Sequence, residues 1–255
     1  MLRRIEFAWR WLGTAFSYLS FGLGGLLFSL LIVPLLYLLP GGAAARTRRV
    51  QWLLHRILQG YVRMMSVLGV VTFEIHDIEK LRGARLVLAN HPSLLDVVFL
   101  ISMLPHANCV VKGGLTRNFF TRGPIRAAGY IMNEEAADVI SAAQRAMDDG
   151  QTLIIFPEGT RTDPFGSLEF RRGAANVAIR TGSDITPVLV YCAPPGLTKA
   201  QRWYQVPARR MHLRFLVMDR YPIARYLEDP RPSRAARELT GDLLNYFNRE
   251  LETHG

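Results

Sequence analysis

The chain has 255 residues, of which 49% are hydrophobic, and it carries a formal net charge of +10. This composition excludes a disordered chain, and the length allows one α/β domain with a sizeable core together with a membrane element. The two cysteines, Cys109 and Cys192, lie in apolar runs and outside any C-x-x-C or Cys/His cluster. The sequence therefore predicts buried free thiols and gives no support for a disulfide framework or a metal site.

The basic charge is concentrated in the first 73 residues. They contain eight arginines and one glutamate, hence a net charge of +7, which leaves +3 for the rest of the chain. Basic residues that flank apolar sequence favour binding to an anionic membrane surface, where each contributes on the order of 1 kcal/mol. Nucleic-acid binding is the rival interpretation of a basic chain, but the position of this charge predicts no nucleic-acid partner.

Residues 11–45 contain no charged side chain. The run is long enough for a spanning helix, which needs ~20 apolar residues, and too long for the core of a cleaved signal peptide. Gly22, Gly24, Gly25 and Pro34 interrupt it, so a single spanning helix and a kinked or re-entrant pair of helices both stay open. Arginines on both sides leave the orientation open as well.

The next segment, RTRRVQWLLHRILQGYVRMMSVLGVV (46–71), predicts an amphipathic helix. Its apolar residues recur at helical spacing, while Arg49, Arg56 and Arg63 recur every seven residues. An interfacial helix and a core helix with a solvated arginine stripe fit this pattern about equally. Residues 1–70 are accordingly predicted to form a membrane-associating helical element.

From residue 71 onward, short apolar runs alternate with helical patterns. The alternation predicts an α/β fold with a mixed, mostly parallel sheet flanked by helices, formed by residues 71–255. The clearest helical pattern is 133–150, which Asn133 can cap and Gly150 can end, and residues 231–252 predict a closing amphipathic helix. The predicted strands are 72–77, 85–90, 108–112, 130–132, 152–156, 185–191 and 211–218.

The segment NHPSLLD (90–96) places a His and an Asp at the carboxyl end of a predicted strand, where α/β folds bind ligands. Pro92 suits the first position of a helix, which would put Asp96 about one turn into it. On a continuous helix His91 and Asp96 would be ~140° apart, whereas a histidine in the turn before the helix can fold back to the carboxylate.

Such a contact makes His91 a general base and lets Asp96 stabilise the imidazolium. The spacing alone also fits a turn histidine and a helix aspartate that pairs with an unrelated cation. Ser93 is the only serine nearby and no G-x-S-x-G segment is present, so the predicted nucleophile is a hydroxyl of the substrate.

The segment LIIFPEGTRT (153–162) ends another predicted strand with a Pro-Glu-Gly turn. Gly159 allows substrate to approach backbone N–H groups that can face an oxyanion, and Arg161 offers a planar fork for a phosphate or carboxylate. A pairing of Glu158 with Arg161 across the turn is the alternative. Further along, Pro187 predicts an edge strand or a bulge.

NHPSLLD and FPEGTR, in this order and about 65 residues apart, resemble two motifs of the glycerolipid acyltransferase family, of the lysophosphatidic acid acyltransferase type. The resemblance covers roughly residues 70–220, with 112–131 in the place of the second motif and ITPV in that of the fourth. It implies that His91 is the general base and Asp96 orients it. It also implies an N-terminal two-helix element that docks on the membrane. The residues implied to bind the acceptor and its phosphate are Glu158, Gly159, Thr160, Arg161, Lys112 and Arg122.

The resemblance implies an O-acyltransferase of phospholipid biosynthesis. It would move a fatty acyl chain from a co-substrate, acyl-CoA or acyl carrier protein, to a lysophospholipid hydroxyl, most simply that of 1-acyl-glycerol-3-phosphate. No cofactor and no metal is implied. The expected partners are membrane lipids and the acyl carrier, and the expected location is the bacterial inner membrane with the active site on its cytoplasmic face.

The second motif departs from the family pattern, because Gly113 and Gly114 follow Lys112 where the family carries an acidic residue. Another acceptor, such as a lyso-ornithine lipid, therefore stays an alternative. A membrane-bound lipid hydrolase and a non-catalytic lipid-binding scaffold are the alternatives from other functional classes.

Overall fold

The computed structural model of the protein describes residues 2–133 and 135–255, apart from the side chains of residues 2, 3 and 116. The predicted α/β fold with a mixed, mostly parallel sheet is confirmed, and each of the seven predicted strands is present. The strands are β1 (Val71–His76), β2 (Leu86–Ala89), β3 (Ala107–Val111), β4 (Ile131–Met132), β5 (Thr152–Ile155), β6 (Ile185–Ala193) and β7 (Met211–Val217). Their order across the sheet is β1-β7-β6-β2-β5-β3-β4, and neighbours are parallel except for β6 and β7.

Helices cover both faces of this sheet. The helices are α1 (Leu2–Leu27), α2 (Val33–Tyr37), α3 (Ala43–Val67), α4 (Asp96–Met103), α5 (Arg122–Ala127), α6 (Ala136–Asp148), α7 (Gly173–Thr181), α8 (Ala224–Leu227) and α9 (Pro232–His254). In strand β2, Leu86 and Leu88 pack with α6, α7 and α9, whereas Val87 and Ala89 pack with α3 and α4. A strand buried on both faces has no polar side, which explains the unbroken apolar run LVLA.

The N-terminal segment is a nearly continuous helix from α1 to α2. It passes through the three glycines and changes to a π-helical turn at Phe28–Ile32, just before Pro34. A proline ring removes one N–H donor and crowds the carbonyl four residues earlier, and the wider π turn accommodates both effects. The stretch Arg4–Tyr37 has 34 residues, and an 18-residue window within it has a mean hydropathy of 2.2, so it is long and apolar enough to cross a membrane.

Helix α1 presents its polar side to the protein and its apolar side outward. Arg10, Gly13, Thr14 and Ser17 are buried at the i, i+3, i+4 and i+7 positions of one helical face. This is the reverse of a helix on a water-soluble domain, and a large exposed apolar surface of this kind marks a contact with a membrane or with another protein. The large exposed side chains of α1 include Trp9, Leu12, Phe16, Leu19, Leu23 and Leu27.

Helix α3 packs one face into the protein. Val62 and Met65 belong to the core beneath α4, whereas Arg56 and Arg63 are exposed. This part of α3 is therefore a core helix with a solvated arginine stripe, one of the two alternatives that the sequence left open. Trp52, which is 51% exposed, lies on its outer side.

Two predicted helix starts are wrong. Helix α4 begins at Asp96 and not at Pro92, because residues 92–95 form a turn in which the Ser93 N–H donates to the Asp96 carboxylate. Helix α6 begins at Ala136 and Asn133 does not cap it, because the Asn133 N–H donates to the Val111 carbonyl beside strand β4.

Pro187 lies in an interior strand, so its predicted edge position is wrong, but the predicted bulge is present. Strand β6 pairs with β2 on one side and β7 on the other. Between the pairs Val188–Val217 and Ile185–Tyr221, strand β6 contributes two residues, whereas the segment that follows β7 contributes three. The missing N–H of Pro187 faces this extra residue, where the ladder is already interrupted.

Candidate active site

Three adjacent parallel strands, β2, β5 and β3, end at the same edge of the sheet. His91 lies two residues beyond β2, the Pro157–Arg161 turn follows β5, and Lys112 follows β3 directly. Carboxyl ends of parallel strands are where α/β folds place their ligands. The two sequence motifs therefore meet at this edge, although 66 positions separate His91 from Pro157.

The His91 and Asp96 side chains are in contact. The imidazole Nδ1 lies 3.0 Å from the Asp96 Oδ2, and the Ser93 N–H donates to the same oxygen over 2.7 Å. Asp96 is fully buried, while the His91 side chain is 16% exposed. An Nδ1 that faces a carboxylate carries the proton, so Nε2 is left as the base. Within residues 2–133 and 135–255, Nε2 has no hydrogen-bond partner.

The loop after β5 fixes the position of His91. The His91 N–H donates to the Glu158 Oε1 (2.9 Å) and to the Thr162 Oγ1 (3.1 Å), and the Thr162 hydroxyl donates to the same Glu158 oxygen (2.7 Å). The Thr162 N–H donates back to the His91 carbonyl over 2.7 Å. The imidazole ring stacks on Phe156, with ring centroids 4.2 Å apart. Backbone and ring of the histidine are thus both fixed before any substrate binds.

Two buried carboxyl groups lie next to this one imidazole. Burial raises the pKa of Asp96, and the hydrogen bond from His91 opposes the rise. Burial also raises the pKa of Glu158, opposed by the hydrogen bonds from the Thr162 hydroxyl and the His91 N–H.

Arg161 is anchored to the segment between β6 and β7, residues 194–210, which we call the strap. The Arg161 Nη1 donates to the Leu197 and Thr198 carbonyls over 2.7 and 2.9 Å. The Ser93 hydroxyl donates to the Gly196 carbonyl over 3.0 Å. The strap therefore connects the loop after β5 with the turn that carries His91.

The far end of the strap is bound to the N-terminal helix. Arg10 is only 3% exposed, and its Nη1 and Nη2 donate to the Pro207 and Ala208 carbonyls over 2.8 and 2.7 Å. Trp203 of the strap packs on Tyr18 of α1, with ring centroids 5.5 Å apart. The apolar helix and the candidate site are therefore joined through one segment.

Residues 72–191 match the family model described as Acyltransferase. Over these residues the chain is similar to the acyltransferase family. Its matched residues include both motifs and every hydrogen bond that fixes the His91 backbone. The candidate active site built from His91 and Asp96 therefore lies within the region that is similar to acyltransferases.

Several known proteins are similar to this chain. The 1-acyl-sn-glycerol-3-phosphate acyltransferase beta of Homo sapiens is 28% identical over 145 residues, which are 52% of this chain and 51% of that protein. The 1-acyl-sn-glycerol-3-phosphate acyltransferase of Helicobacter pylori is 32% identical over 117 residues, 42% of this chain and 48% of that protein. The chain thus spans about half the length of these curated relatives.

A solved structure supports the fold. The 1-acyl-sn-glycerophosphate acyltransferase PlsC of Thermotoga maritima superposes with a TM-score of 0.66 at 17% sequence identity. The match covers 96% of this chain and 98% of that protein. The α/β domain and the N-terminal helices therefore share one fold with that structure.

Some of the residues predicted to bind the acceptor lie in the turn after β5, and the others lie apart from it. Glu158 is buried beneath His91, where its Oε1 is occupied by the His91 N–H and the Thr162 hydroxyl. Gly159 has a φ of +65°, and an added Cβ would lie 3.1 Å from the Arg171 side chain. Thr160 is half-buried at the tip of the turn.

The Gly159 N–H donates to the Phe156 carbonyl over 2.9 Å and closes the turn, so it is not available to an oxyanion. The N–H groups of Thr160 and Arg161 have no acceptor in the part of the chain that the structure describes. Near Pro92, the Ser93 N–H is already bound to Asp96. The turn after β5, which the sequence predicts to face an oxyanion, therefore has unoccupied donors at Thr160 and Arg161.

Lys112 and Arg122 are not joined to this cluster. Lys112 is exposed at the end of β3, and Arg122 lies at the start of α5 with its guanidinium over the Phe119 ring, 5.0 Å from the centroid. Neither hydrogen-bonds to His91 or Arg161 among the described residues. Their role in acceptor binding stays a prediction.

Side chains near His91 do not offer a nucleophile. The Ser93 hydroxyl is fully buried and donates to Gly196, and the Thr162 hydroxyl donates to Glu158. Burial raises the pKa of Cys109 to about 12 and that of Cys192 to about 11, so neither is a thiolate near neutral pH. Within the described residues, no group of three His, Cys, Asp or Glu side chains could hold a metal ion.

Sequence reasoning missed Thr162, the stacking of Phe156 and the strap. Thr162 directly follows the FPEGTR motif, so its hydroxyl one residue beyond Arg161 was a usable signal. The strap contributes backbone carbonyls. Every residue type has such a carbonyl, so the sequence does not reveal which ones accept a hydrogen bond.

Proposed function

We propose that this protein transfers a fatty acyl chain from an acyl thioester to the hydroxyl of a lysophospholipid, with 1-acyl-glycerol-3-phosphate as the acceptor. The observation that carries the proposal is the 3.0 Å contact between His91 Nδ1 and a fully buried Asp96, with Nε2 directed away from it. The names of the relatives described above support this acceptor. The site has a general base but no protein nucleophile beside it, which suits attack by a substrate hydroxyl.

In this mechanism His91 Nε2 removes the proton of the acceptor hydroxyl as its oxygen bonds to the thioester carbonyl carbon. The negative charge moves to the carbonyl oxygen, which the N–H groups of Thr160 and Arg161 stabilise. Asp96 stabilises the imidazolium that forms. When the tetrahedral intermediate collapses, the carbon–sulfur bond breaks and the thiolate takes the proton from Nε2, which restores the free base.

Arg161 binds the phosphate of the acceptor. Its Nη1 is occupied by two strap carbonyls, and its other guanidinium nitrogens have no hydrogen-bond acceptor among the described residues. A guanidinium held at one corner presents its remaining N–H groups in a fixed direction, which suits phosphate recognition. The acyl donor is acyl-CoA or acyl carrier protein, and the reaction is proposed to need no cofactor.

The apolar side of α1 supports a proposed location of the protein at a membrane. Arginines lie on both sides of the uncharged run, which favours cytoplasmic positions for both flanks and a segment that dips into the bilayer. One face of α1 is bound to the domain from Arg10 to Ser17, which supports the same arrangement. The proposed location is the cytoplasmic face of a bacterial inner membrane.

The decisive experiment compares the full chain in nanodiscs with His91→Ala. Thiol release from palmitoyl-CoA and the acylated lipid product are measured with an acceptor panel of lysophosphatidate, lysophosphatidylcholine and lyso-ornithine lipid. We expect His91→Ala to lower kcat by about 10²–10⁴-fold, the usual contribution of a general base, without loss of membrane association.

His76→Ala is the matched control, because His76 is half-exposed at the end of β1 and remote in sequence from both motifs. Activity of His91→Ala close to that of this control would refute the base assignment. Thiol release by the wild type in the absence of any acceptor would indicate a hydrolase instead. A preference for another lysolipid would keep the mechanism and change the acceptor.

A further inference from the structure

A basic cleft lies at the start of helix α3. It is at the edge of the sheet opposite to the edge that carries the candidate active site. It has a volume of about 550 Å³ and is lined by Ala45, Arg48, Arg49, Trp52 and His106. His106 directly precedes β3, so the cleft is at the amino end of the strand whose carboxyl end carries Lys112. The acyl-transfer chemistry proposed above uses none of these residues.

Buried nitrogen atoms in this cleft lack partners. The Arg49 Nη1 and the His106 Nδ1 are both inaccessible to water and have no hydrogen-bond partner among the described residues. Buried polar groups are nearly always hydrogen-bonded, and each one left unpaired costs about 1–3 kcal/mol. The side chains of Arg49 and His106 therefore keep hydrogen-bonding capacity that no group of the described residues uses.

The charge of the cleft is positive and uncompensated. Neither Arg48 nor Arg49 forms an ion pair within the described part of the chain, and the sequence has no acidic residue from 7 to 73. Burial lowers the pKa of His106, and the positive charge of Arg48 lowers it further. Two guanidinium groups side by side favour a phosphate oxyanion over a carboxylate, because a phosphate offers oxygens to both.

The surroundings of the cleft are apolar and exposed. The bend that precedes α3 contains Leu38 and Leu39, which are 80% and 47% exposed, and Gly41 of this bend lies against the Arg49 guanidinium. Trp52, at the rim, is 51% exposed. Tryptophan and arginine beside exposed leucines are typical of the depth at which lipid head groups lie.

We propose that the basic cleft binds the phosphate group of an anionic membrane lipid, with the lipid chains lying along the apolar bend at residues 38–42. Arg48 and Arg49 hold the phosphate oxygens, and His106 lines the cleft beside them. The cleft is a binding site and carries out no chemistry. The proposal does not depend on acyl transfer, since a lipid can occupy the cleft whether or not His91 is a base.

The test measures binding of dihexanoyl phosphatidylglycerol, a water-soluble short-chain lipid, to the purified full chain in detergent by calorimetry. Inorganic phosphate and adenosine 3′,5′-bisphosphate serve as soluble phosphate probes. The variant Arg48→Gln/Arg49→Gln removes the charge of the cleft. Its matched control is Arg56→Gln/Arg63→Gln, which removes two exposed charges from the same helix.

We expect the lipid to bind the wild type and the control equally and the Arg48→Gln/Arg49→Gln variant at least about tenfold more weakly. Ala45→Glu, which adds a carboxylate and removes no arginine, is expected to weaken binding to the same extent. This second variant keeps the test valid if the double variant unfolds.

Equal affinity in wild type, Arg48→Gln/Arg49→Gln and Ala45→Glu would overturn the proposal. Inorganic phosphate or the bisphosphate binding as tightly as the lipid would overturn the lipid assignment and give the cleft to a soluble phosphate. Failure of the acyl-transfer mechanism would instead appear as an active His91→Ala variant, which this assay does not involve.

Discussion

Replacing Asp96 with asparagine removes one negative charge from the site and leaves its hydrogen bonds in place. The Ser93 N–H and the His91 Nδ1 both bind Oδ2, whereas Oδ1 is buried without a partner. An asparagine oxygen at the Oδ2 position can therefore accept both bonds, with the amide NH₂ at the Oδ1 position. The opposite orientation would direct NH₂ against the Ser93 N–H, so the His91 tautomer is expected to stay unchanged.

The expected loss is then the electrostatic contribution of the carboxylate to the imidazolium. Two unit charges about 4 Å apart interact by about 4 kcal/mol at an effective dielectric constant near 20. A barrier higher by about 4 kcal/mol corresponds to a roughly 10³-fold lower kcat. The buried amide remains unpaired, as the Oδ1 of Asp96 already is, so the free energy of unfolding should fall by no more than about 1–3 kcal/mol.

The assay is the kcat of thiol release from acyl-CoA with saturating lysophosphatidate, accompanied by the thermal midpoint in the same nanodiscs. Asp149→Asn is the control, since Asp149 is an exposed residue at the end of α6. A kcat of Asp96→Asn within about threefold of the control would refute the role of the charge. If kcat falls strongly, the thermal midpoint shows whether the loss comes from unfolding or from the missing charge.

Glu158→Gln should stabilise the protein relative to wild type increasingly as the pH rises above 4.5, the ordinary pKa of the group, because burial raises the pKa of Glu158 in the folded state. Denaturant unfolding from about pH 4 to about pH 8 measures this, and a wild type that gains stability over Glu158→Gln with rising pH would contradict it. Arg161→Lys should raise the KM for lysophosphatidate about tenfold and change kcat little, since a lysine cannot bind two strap carbonyls and a phosphate together; an unchanged KM would count against phosphate binding. Gly25→Ala should lower the thermal midpoint, because its methyl group would lie 2.3 Å from the Phe120 carbonyl oxygen, whereas Gly24→Ala has nothing within 4 Å and should raise it through helix propensity; equal midpoints would show that the α1–Phe120 contact is absent.

The strands could be predicted because each apolar run is bounded by turn residues. The run LVLA is buried on both faces of the sheet, and TLII ends at the Pro-Glu-Gly turn as expected. Helix starts were less accurate. The side chain of Asp96 binds the Ser93 N–H and delays α4 by four residues, a contact that depends on the fold of the turn.

The His91–Asp96 contact could be inferred because both residues lie in one seven-residue motif at a strand end. The anchoring of Arg161 could not, since its acceptors are carbonyls of Leu197 and Thr198, 36 and 37 positions further along the chain. Lys112 and Arg122 show a second limit of prediction from the sequence. A long cation on the surface has many rotamers, and its position in the sequence does not determine where its charge points.

Arg10 connects the apolar helix α1, through the strap, to Arg161, the residue proposed to bind the acceptor phosphate. It is the α1 residue that holds the Pro207–Ala208 end of the strap, while the opposite end of the strap positions Arg161. The proton-transfer couple depends instead on contacts among the chain after β2, the start of α4 and the loop after β5. Extraction of α1 from lipid should therefore weaken the binding of the acceptor phosphate first. The solubilised protein should keep His91 as a base while losing its selectivity for the acceptor.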